Sequence, residues 1–172
     1  MRLEKIAAAD FDSVYDEMEK NFIREERRDR EAARALLAEP RYSFCHVADG
    51  DERVGFVTLW TLRDRVFVEH FVTYEAYRNR GVGQRVLALL AGAYGKMVLE
   101  AEPPDTPLAT RRLGFYGRCG FHENDLPYLQ PPYRADDTGV PLILLSYPEP
   151  LSDPVATARE LYETVYKTAY KF

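Results

Sequence analysis

Arg78-Asn79-Arg80-Gly81-Val82-Gly83-Gln84-Arg85 is the stretch on which the reading of this chain turns. It lies between a predicted strand that ends near Tyr74 and a predicted helix from Gln84. Glycines at such a junction let consecutive backbone N–H groups turn toward one point, and the helix N-terminus adds positive potential. The neighbouring arginines suit an anionic ligand such as a pyrophosphate. Two other phosphate loops are excluded. A dinucleotide fingerprint needs a third glycine where Val86 stands, and a Walker loop needs Gly-Lys-Ser/Thr where Gly83-Gln84-Arg85 stands. The remaining pattern is Arg/Gln-x-x-Gly-x-Gly/Ala, with a tight turn carrying solvated arginines as the plainer alternative.

Outward from this loop the elements alternate. Upstream, Tyr42–Ala48, Arg53–Leu62 and Arg65–Tyr74 read as three strands, joined by Asp49-Gly50-Asp51 and Arg63-Asp64. Before them, Asp10 is placed as the cap of a helix through Lys20, with Phe11, Val14, Tyr15 and Met18 on one face. A second helix is expected from Arg24 to Ala38, with Glu26–Arg30 and Arg27–Glu31 pairs on a solvated face. Downstream, Gln84–Lys96 is helical, Met97–Ala101 is a short buried strand, and Thr106–Arg118 is a helix capped by Thr106 with Pro107 in its first turn. Phe121 opens another strand, Pro127–Gly139 is a surface excursion, and Val140–Tyr147 is an apolar strand. An extra helix covers about 154–170. A meander feeding a β-α-β unit predicts an α/β fold with a mixed sheet flanked by helices, in one domain over residues 1–172.

Composition narrows the partners. The chain has 172 residues, 46% hydrophobic and 30% charged, which is enough for one well-packed core. Its formal net charge of −5 argues against a nucleic-acid binder. Two cysteines, Cys45 and Cys119, are too few for a disulfide framework or a four-thiolate zinc site. His46, His70 and His122 share no metal-ligand spacing, so they are read as hydrogen-bonded structural residues and no metal is expected. Ile6–Ala9 is too short an apolar run for a signal peptide, and no stretch is long enough to span a membrane. A cytoplasmic protein is therefore expected. The apolar run Leu142–Leu145 and the extra helix are the candidate homodimer surfaces.

The run Phe71–Gly83 resembles the acetyl-CoA motif of the GCN5-related N-acetyltransferases (GNAT family). Phe115-Tyr116-Gly117-Arg118-Cys119-Gly120-Phe121 resembles that family's second landmark, aromatic-Tyr-x-x-x-Gly-Phe. The resemblance implies a sheet that splays where Val68–Tyr74 and Met97–Ala101 part to admit the pantetheine arm. It also implies acetyl-CoA as co-substrate and Phe71 and Val72 backbone groups on the acyl and pantetheine amides. The N–H groups from Asn79 through Arg80, Gly81, Val82 and Gly83 to Gln84 would bind the pyrophosphate, with Arg78 adding charge. Where the family often carries Asn before the tyrosine's helix, this chain reads Pro107-Leu108-Ala109-Thr110, so no side-chain contact to pantetheine is expected there. Tyr116, by its place in the motif, is the donor to the leaving thiolate.

The chemistry of such a transfer asks for more. Alkyl amines resemble lysine, with a pKa of about 10.4, and arrive protonated. A carboxylate can collect that proton. Glu69 and Glu100 are the candidates: Glu69 because alternation places it on the face of Phe71, Glu100 because it ends an apolar strand at the edge of the splay. Together with Glu102 they favour a cationic small-molecule or peptide amine as acceptor. Trp60, Tyr128 and Tyr133 are candidate acceptor walls. Cys119 falls in a variable slot and is read as packing. The expected function is direct N-acetylation of a primary amine, with a non-catalytic acyl-CoA-binding module as the alternative.

Overall fold

The computed structural model describes residues 1–170. In chain order the elements are β1 (Arg2–Lys5), α1 (Phe11–Asn21), α2 (Arg30–Ala35), β2 (Tyr42–Asp49), β3 (Glu52–Thr61), β4 (Val66–Thr73), α3 (Val82–Tyr94), β5 (Met97–Ala101), α4 (Pro107–Arg118), β6 (His122–Glu123), β7 (Tyr128–Gln130), β8 (Val140–Tyr147) and α5 (Pro154–Thr164). The strands form one mixed sheet in the order β1-β2-β3-β4-β5-β8-β6, with β7 also on β8. On one face, α1 and α5 pack Phe11, Tyr15, Met18, Leu161 and Tyr162 against Phe56, Trp60 and Phe67. On the other, Val86, Leu87 and Leu90 of α3 pack against Val57, Leu59 and Val68. Thr106 and Asp153 cap their helices by accepting from Ala109 N–H and Ala156 N–H.

The sheet opens at its centre, as expected. Strands β4 and β5 run parallel and pair only at Val66–Met97, Phe67–Val98 and Val68–Leu99. Beyond Val68 and Leu99 the two strands separate. A β-bulge sits at this point: Leu59 pairs Val68 and Thr58 pairs His70, which leaves Glu69 as the extra residue. The bulge resets the alternation. Glu69 reaches Trp60 on the α1/α5 face, whereas Phe71 packs on the α3 face. The expectation that Glu69 and Phe71 share a face is corrected accordingly. Across from this region, a Cβ on Gly55 would lie 2.0 Å from the Val72 carbonyl oxygen, so only glycine lets β3 approach β4 there.

Four other expectations change. Strand β1 is additional to the expected elements; its four residues carry no alternation and are held by pairing with β2. The helix expected over 24–38 is a 3-10 turn (Arg24–Glu26), α2 and a second 3-10 turn (Leu36–Ala38). Its pairing is tertiary: Arg27 reaches Glu19, and Arg30 reaches Asp12, Asp16 and Glu19. Asp10 makes no capping bond and instead pairs with Arg53 at 3.0 Å. The extra helix expected over about 154–170 ends at Thr164, with Ala158, Leu161 and Tyr162 buried in the core, and Leu142, Leu144 and Leu145 of β8 are buried within the sheet.

Candidate active site

A cleft of about 670 Å³ runs from the 78–84 loop, through the gap between β4 and β5, to the α1 side of the sheet. Phe71, Val72, Arg78, Asn79, Gly81, Val82, Gly83 and Gln84 all line it, as do Glu69, Glu100 and Tyr116. Arg80 is exposed and lies outside the lining. The chain's sharpest motif and its candidate proton-transfer residues therefore share one cavity.

The loop geometry suits anion binding. Asn79 and Gly81 have positive φ, 60° and 71°, and turn the chain into α3. The first bond into that helix runs from Arg85 N–H to the Gly81 carbonyl at 3.2 Å. The N–H groups of Val82, Gly83 and Gln84 consequently have no carbonyl partner within the helix. The arginines divide their work. Arg78 donates to the Thr73 carbonyl at 3.0 Å and to Asn21 Oδ1 at 2.6 Å, which ties the loop to β4 and α1. Arg85 leaves the loop for Asp49, at 2.7 Å. Arg111, Arg112 and Arg118 of α4 line the cleft as well, and Arg111 donates to Asn79 Oδ1 at 2.8 Å. Sequence reading missed these three because they lie on a helix chosen for its tyrosine. These donors fit the pyrophosphate of coenzyme A.

A Cβ on Gly83 would come within 3.2 Å of the Phe115 ring, so this glycine is also needed for close packing of loop on α4. Acetyl-CoA is expected to raise the melting temperature of the parent in a concentration-dependent way. Gly83→Asp, through bulk and an added negative charge, should abolish that rise. A Gly83→Asp protein stabilised as strongly as the parent would show that the loop does not hold the pyrophosphate.

The two candidate bases occupy opposite electrostatic environments. Glu69 has a side chain only 2% exposed and receives hydrogen bonds from Arg28, from Trp60 Nε1 at 2.9 Å and from the Tyr133 hydroxyl at 3.0 Å. Burial alone would raise its pKa, but the Arg28 guanidinium, with the hydrogen bonds, outweighs burial and holds it below the usual range. Arg28 is itself fixed by the Val165 carbonyl at 2.8 Å and stacks 4.4 Å from the Tyr133 ring centre. Glu100 is half-buried at the edge of the cleft, and its oxygens accept from two neutral hydroxyls, those of Tyr128 and of Tyr166, the latter at 2.7 Å. Burial dominates there and the pKa rises to about 7, the tyrosine hydrogen bonds only moderating it and Glu69 adding to it. Glu102 pairs with Arg112. Glu26, which sequence reading used only as a helix-pairing residue, lines the same cleft, with its pKa raised by burial and then by Glu102.

Tyr116 packs against Phe115 and Phe121, at 5.3 and 5.8 Å between ring centres. Burial pushes its pKa to about 12, so it remains a donor at every working pH. Trp60, Tyr128 and Tyr133, expected as acceptor walls, instead grip the two carboxylates. His70 is a structural residue, bonded to Thr58 Oγ1 at 2.8 Å and the Glu26 carbonyl at 3.0 Å. His46 departs from expectation: it is buried with neither ring nitrogen hydrogen-bonded among the described residues and lies 3.5 Å from Asp10. Burial raises the pKa of Cys119, which suits packing better than nucleophilic chemistry. Among the described residues, no group of three or more His, Cys, Asp or Glu could hold a metal ion.

Comparison with known proteins agrees with this geometry. The profile of the acetyltransferase (GNAT) family matches residues 9–121. A candidate GNAT acetyltransferase from Bacteroides thetaiotaomicron is 31% identical, with 96% of this chain and 98% of that chain covered and a TM-score of 0.90. A point mutant of the spermidine N-acetyltransferase from Vibrio cholerae shares the fold at 11% identity, covering 85% of this chain and 94% of that one with a TM-score of 0.63. So does an aminoglycoside 6′-N-acetyltransferase complexed with coenzyme A, at 16% identity, 89% and 100% coverage and a TM-score of 0.58. No curated protein shows significant sequence similarity to the chain.

Proposed function

This chain belongs to the GNAT acetyltransferase family and is an acetyl-CoA-dependent acyltransferase; from that premise we propose that it acetylates a primary amine directly, with Glu100 collecting the amine proton and Tyr116 donating to the departing thiolate. The observation that carries this reading is the divergence of the two carboxylates at one splay. Glu69 is saturated by a cation and two further donors and held ionised, whereas Glu100, without a cation, is poised near 7. A base works best when its pKa lies near the working pH. On this reading Glu69, the first base candidate from the sequence, is a positioning residue that acts through Arg28.

The cationic nature of the acceptor follows from the same balance. Of four glutamates lining the cleft, Glu69 and Glu102 are neutralised by Arg28 and Arg112, and Glu26 and Glu100 are left without a salt bridge among the described residues. An ammonium group is attracted there. The ionised Glu100 takes one proton from the bound ammonium and frees the nitrogen lone pair; as that nitrogen bonds to the thioester carbonyl carbon it becomes strongly acidic and gives its second proton to water. The carbon–sulfur bond then breaks, and the electron pair leaves on sulfur. The thiolate of a thiol with pKa about 8.5 is a weaker base than the Tyr116 phenolate, so Tyr116 stabilises it by a hydrogen bond and the proton that finally neutralises sulfur comes from water. Both residues lie in the cleft, which favours the enzyme over a binding module that has lost its proton-transfer groups.

A screen of small amines, alcohols and thiols, read by release of free CoA thiol, tests the acceptor class. Turnover by cationic primary amines is expected; turnover by alcohols or thiols with none by amines overturns it. With an amine in hand, Tyr116→Phe keeps the ring packing and removes the donor. A hydrogen bond to a charged group contributes roughly 1.5–3 kcal/mol, so kcat should fall by about 10- to 100-fold with acetyl-CoA binding unchanged. An unaltered kcat would return Tyr116 to a packing role.

A further inference from the structure

The geometry points to Tyr166, in the segment that follows the extra C-terminal helix, as a positioning residue that orients and stabilises the ionised Glu100 carboxylate. This inference rests on the assignment of Glu100 as the proton acceptor. Residues beyond α5 contribute twice to the site: the Tyr166 hydroxyl donates to Glu100 Oε2 at 2.7 Å, and the Val165 carbonyl accepts from Arg28 at 2.8 Å. The family profile ends at residue 121, well before this segment, so the match itself says nothing about it.

The sequence builds the segment to hold one position. Ala158, Leu161 and Tyr162 of α5 are buried in the core and fix the helix on the sheet. The helix then closes with Tyr166 N–H on the Leu161 carbonyl, and Thr168 N–H reaches back to the Tyr162 carbonyl at 3.0 Å. Lys167 takes a positive φ of 54°, the reversal that accompanies this ending. Its ammonium lies 5.5 Å from the Trp60 ring centre. The Tyr166 ring is held between Tyr133, at 5.4 Å, and Tyr162, at 6.3 Å. Few rotamers remain open to it, so its hydroxyl meets Glu100 at little entropic cost.

Its effect is specific to Glu100. From β7, Tyr128 donates to the other oxygen. From β4, Glu69 faces Glu100 with its charge compensated by Arg28, and Tyr133 bonds Glu69. Tyr162 lies on α5 beside them. Among the described residues, Tyr166 and Tyr128 are thus the two direct donors to Glu100. Without Tyr166, one oxygen of a half-buried carboxylate loses its hydrogen bond, which favours the protonated form.

Carbon-13 titration of the glutamate carboxyls, with the Glu100 resonance assigned by its loss in Glu100→Gln, reads this without any acceptor. Tyr166→Phe keeps the ring contacts and should move the Glu100 midpoint upward by about one unit. An unmoved midpoint in folded Tyr166→Phe overturns the inference. In the parent, the labelled ring carbon bearing the Tyr166 hydroxyl should follow the same midpoint as Glu100, which tests the contact even if the variant does not fold. A Tyr166 carbon silent through that midpoint also overturns it. The pH dependence of kcat/KM adds the functional half. Tyr166→Phe should shift the acidic limb upward with the titration, whereas a merely structural role would lower the rate evenly at all pH. If Glu100→Gln retains parental turnover, the base assignment fails, while the titration still decides whether Tyr166 stabilises the carboxylate.

Discussion

Glu100→Gln is expected to lower kcat/KM by about 10²–10⁴-fold near neutral pH, the range general-base catalysis contributes. Acetyl-CoA should still stabilise the variant, because the loop that receives it is untouched. Stability should move the other way with pH. A carboxyl whose folded pKa of about 7 exceeds its unfolded value of 4.5 favours the native state fully below 4.5. That advantage is lost as pH rises toward 7, a change on the order of 3 kcal/mol. The melting temperature of Glu100→Gln relative to the parent should therefore be higher at pH 8 than at pH 5. A relative melting temperature that does not rise between those two values would mean that Glu100 is not held near 7, and parental turnover would remove it from the reaction.

Arg28→Met should destabilise the protein by about 3–5 kcal/mol, because it leaves Glu69 as an uncompensated buried charge. Calorimetric melting at pH 7 measures this. At that pH Glu69 is ionised in the parent, and its lowered pKa contributes stability above the unfolded value that is lost as pH falls through the folded one. The penalty of Arg28→Met should consequently shrink in acid, where Glu69 takes up a proton. Adding Glu69→Leu should recover most of the loss by replacing the isolated charge with packed apolar surface. A single variant as stable as the parent, or a double variant no better than the single, would show that the pair does not organise this part of the fold.

Much of this site was legible in the sequence, and its gaps have physical causes. The glycine loop was readable because Gly81 and Gly83 serve backbone needs that few residues meet, a positive φ and a close approach to Phe115. Strands β2 to β4 and helix α3 followed from apolar patterning, β5 from a short apolar run, and α4 from its Thr106 cap and Pro107. Glu69 was misplaced because a bulge leaves no mark in a run of alternating residues; only the pairing of Thr58 with His70 and Leu59 with Val68 reveals it. Arg28 was hidden in a charge run that reads as solvated, and its burial depends on Glu69, 41 residues away. Tyr128 and Tyr133 read as wall residues and Tyr166 falls within the span of the expected extra helix, because a ring can be placed from sequence pattern and the partner of its hydroxyl cannot. Thus the backbone site could be read locally, whereas the tuning of its carboxylates is set by contacts between distant segments.

The claim that Glu100 is the base is tested most directly by the pH profile of kcat/KM for a cationic primary amine, read by CoA thiol release in the parent and in Glu100→Gln. The account predicts that the parent rises through a limb near 7 and falls again as the free amine loses its proton, at about 10 for a lysine-like amine. In Glu100→Gln the limb near 7 should vanish, and the residual rate should climb steadily toward the pKa of the amine. A parent profile that climbs to that pKa without a break near 7, overlaid by that of Glu100→Gln, would contradict it.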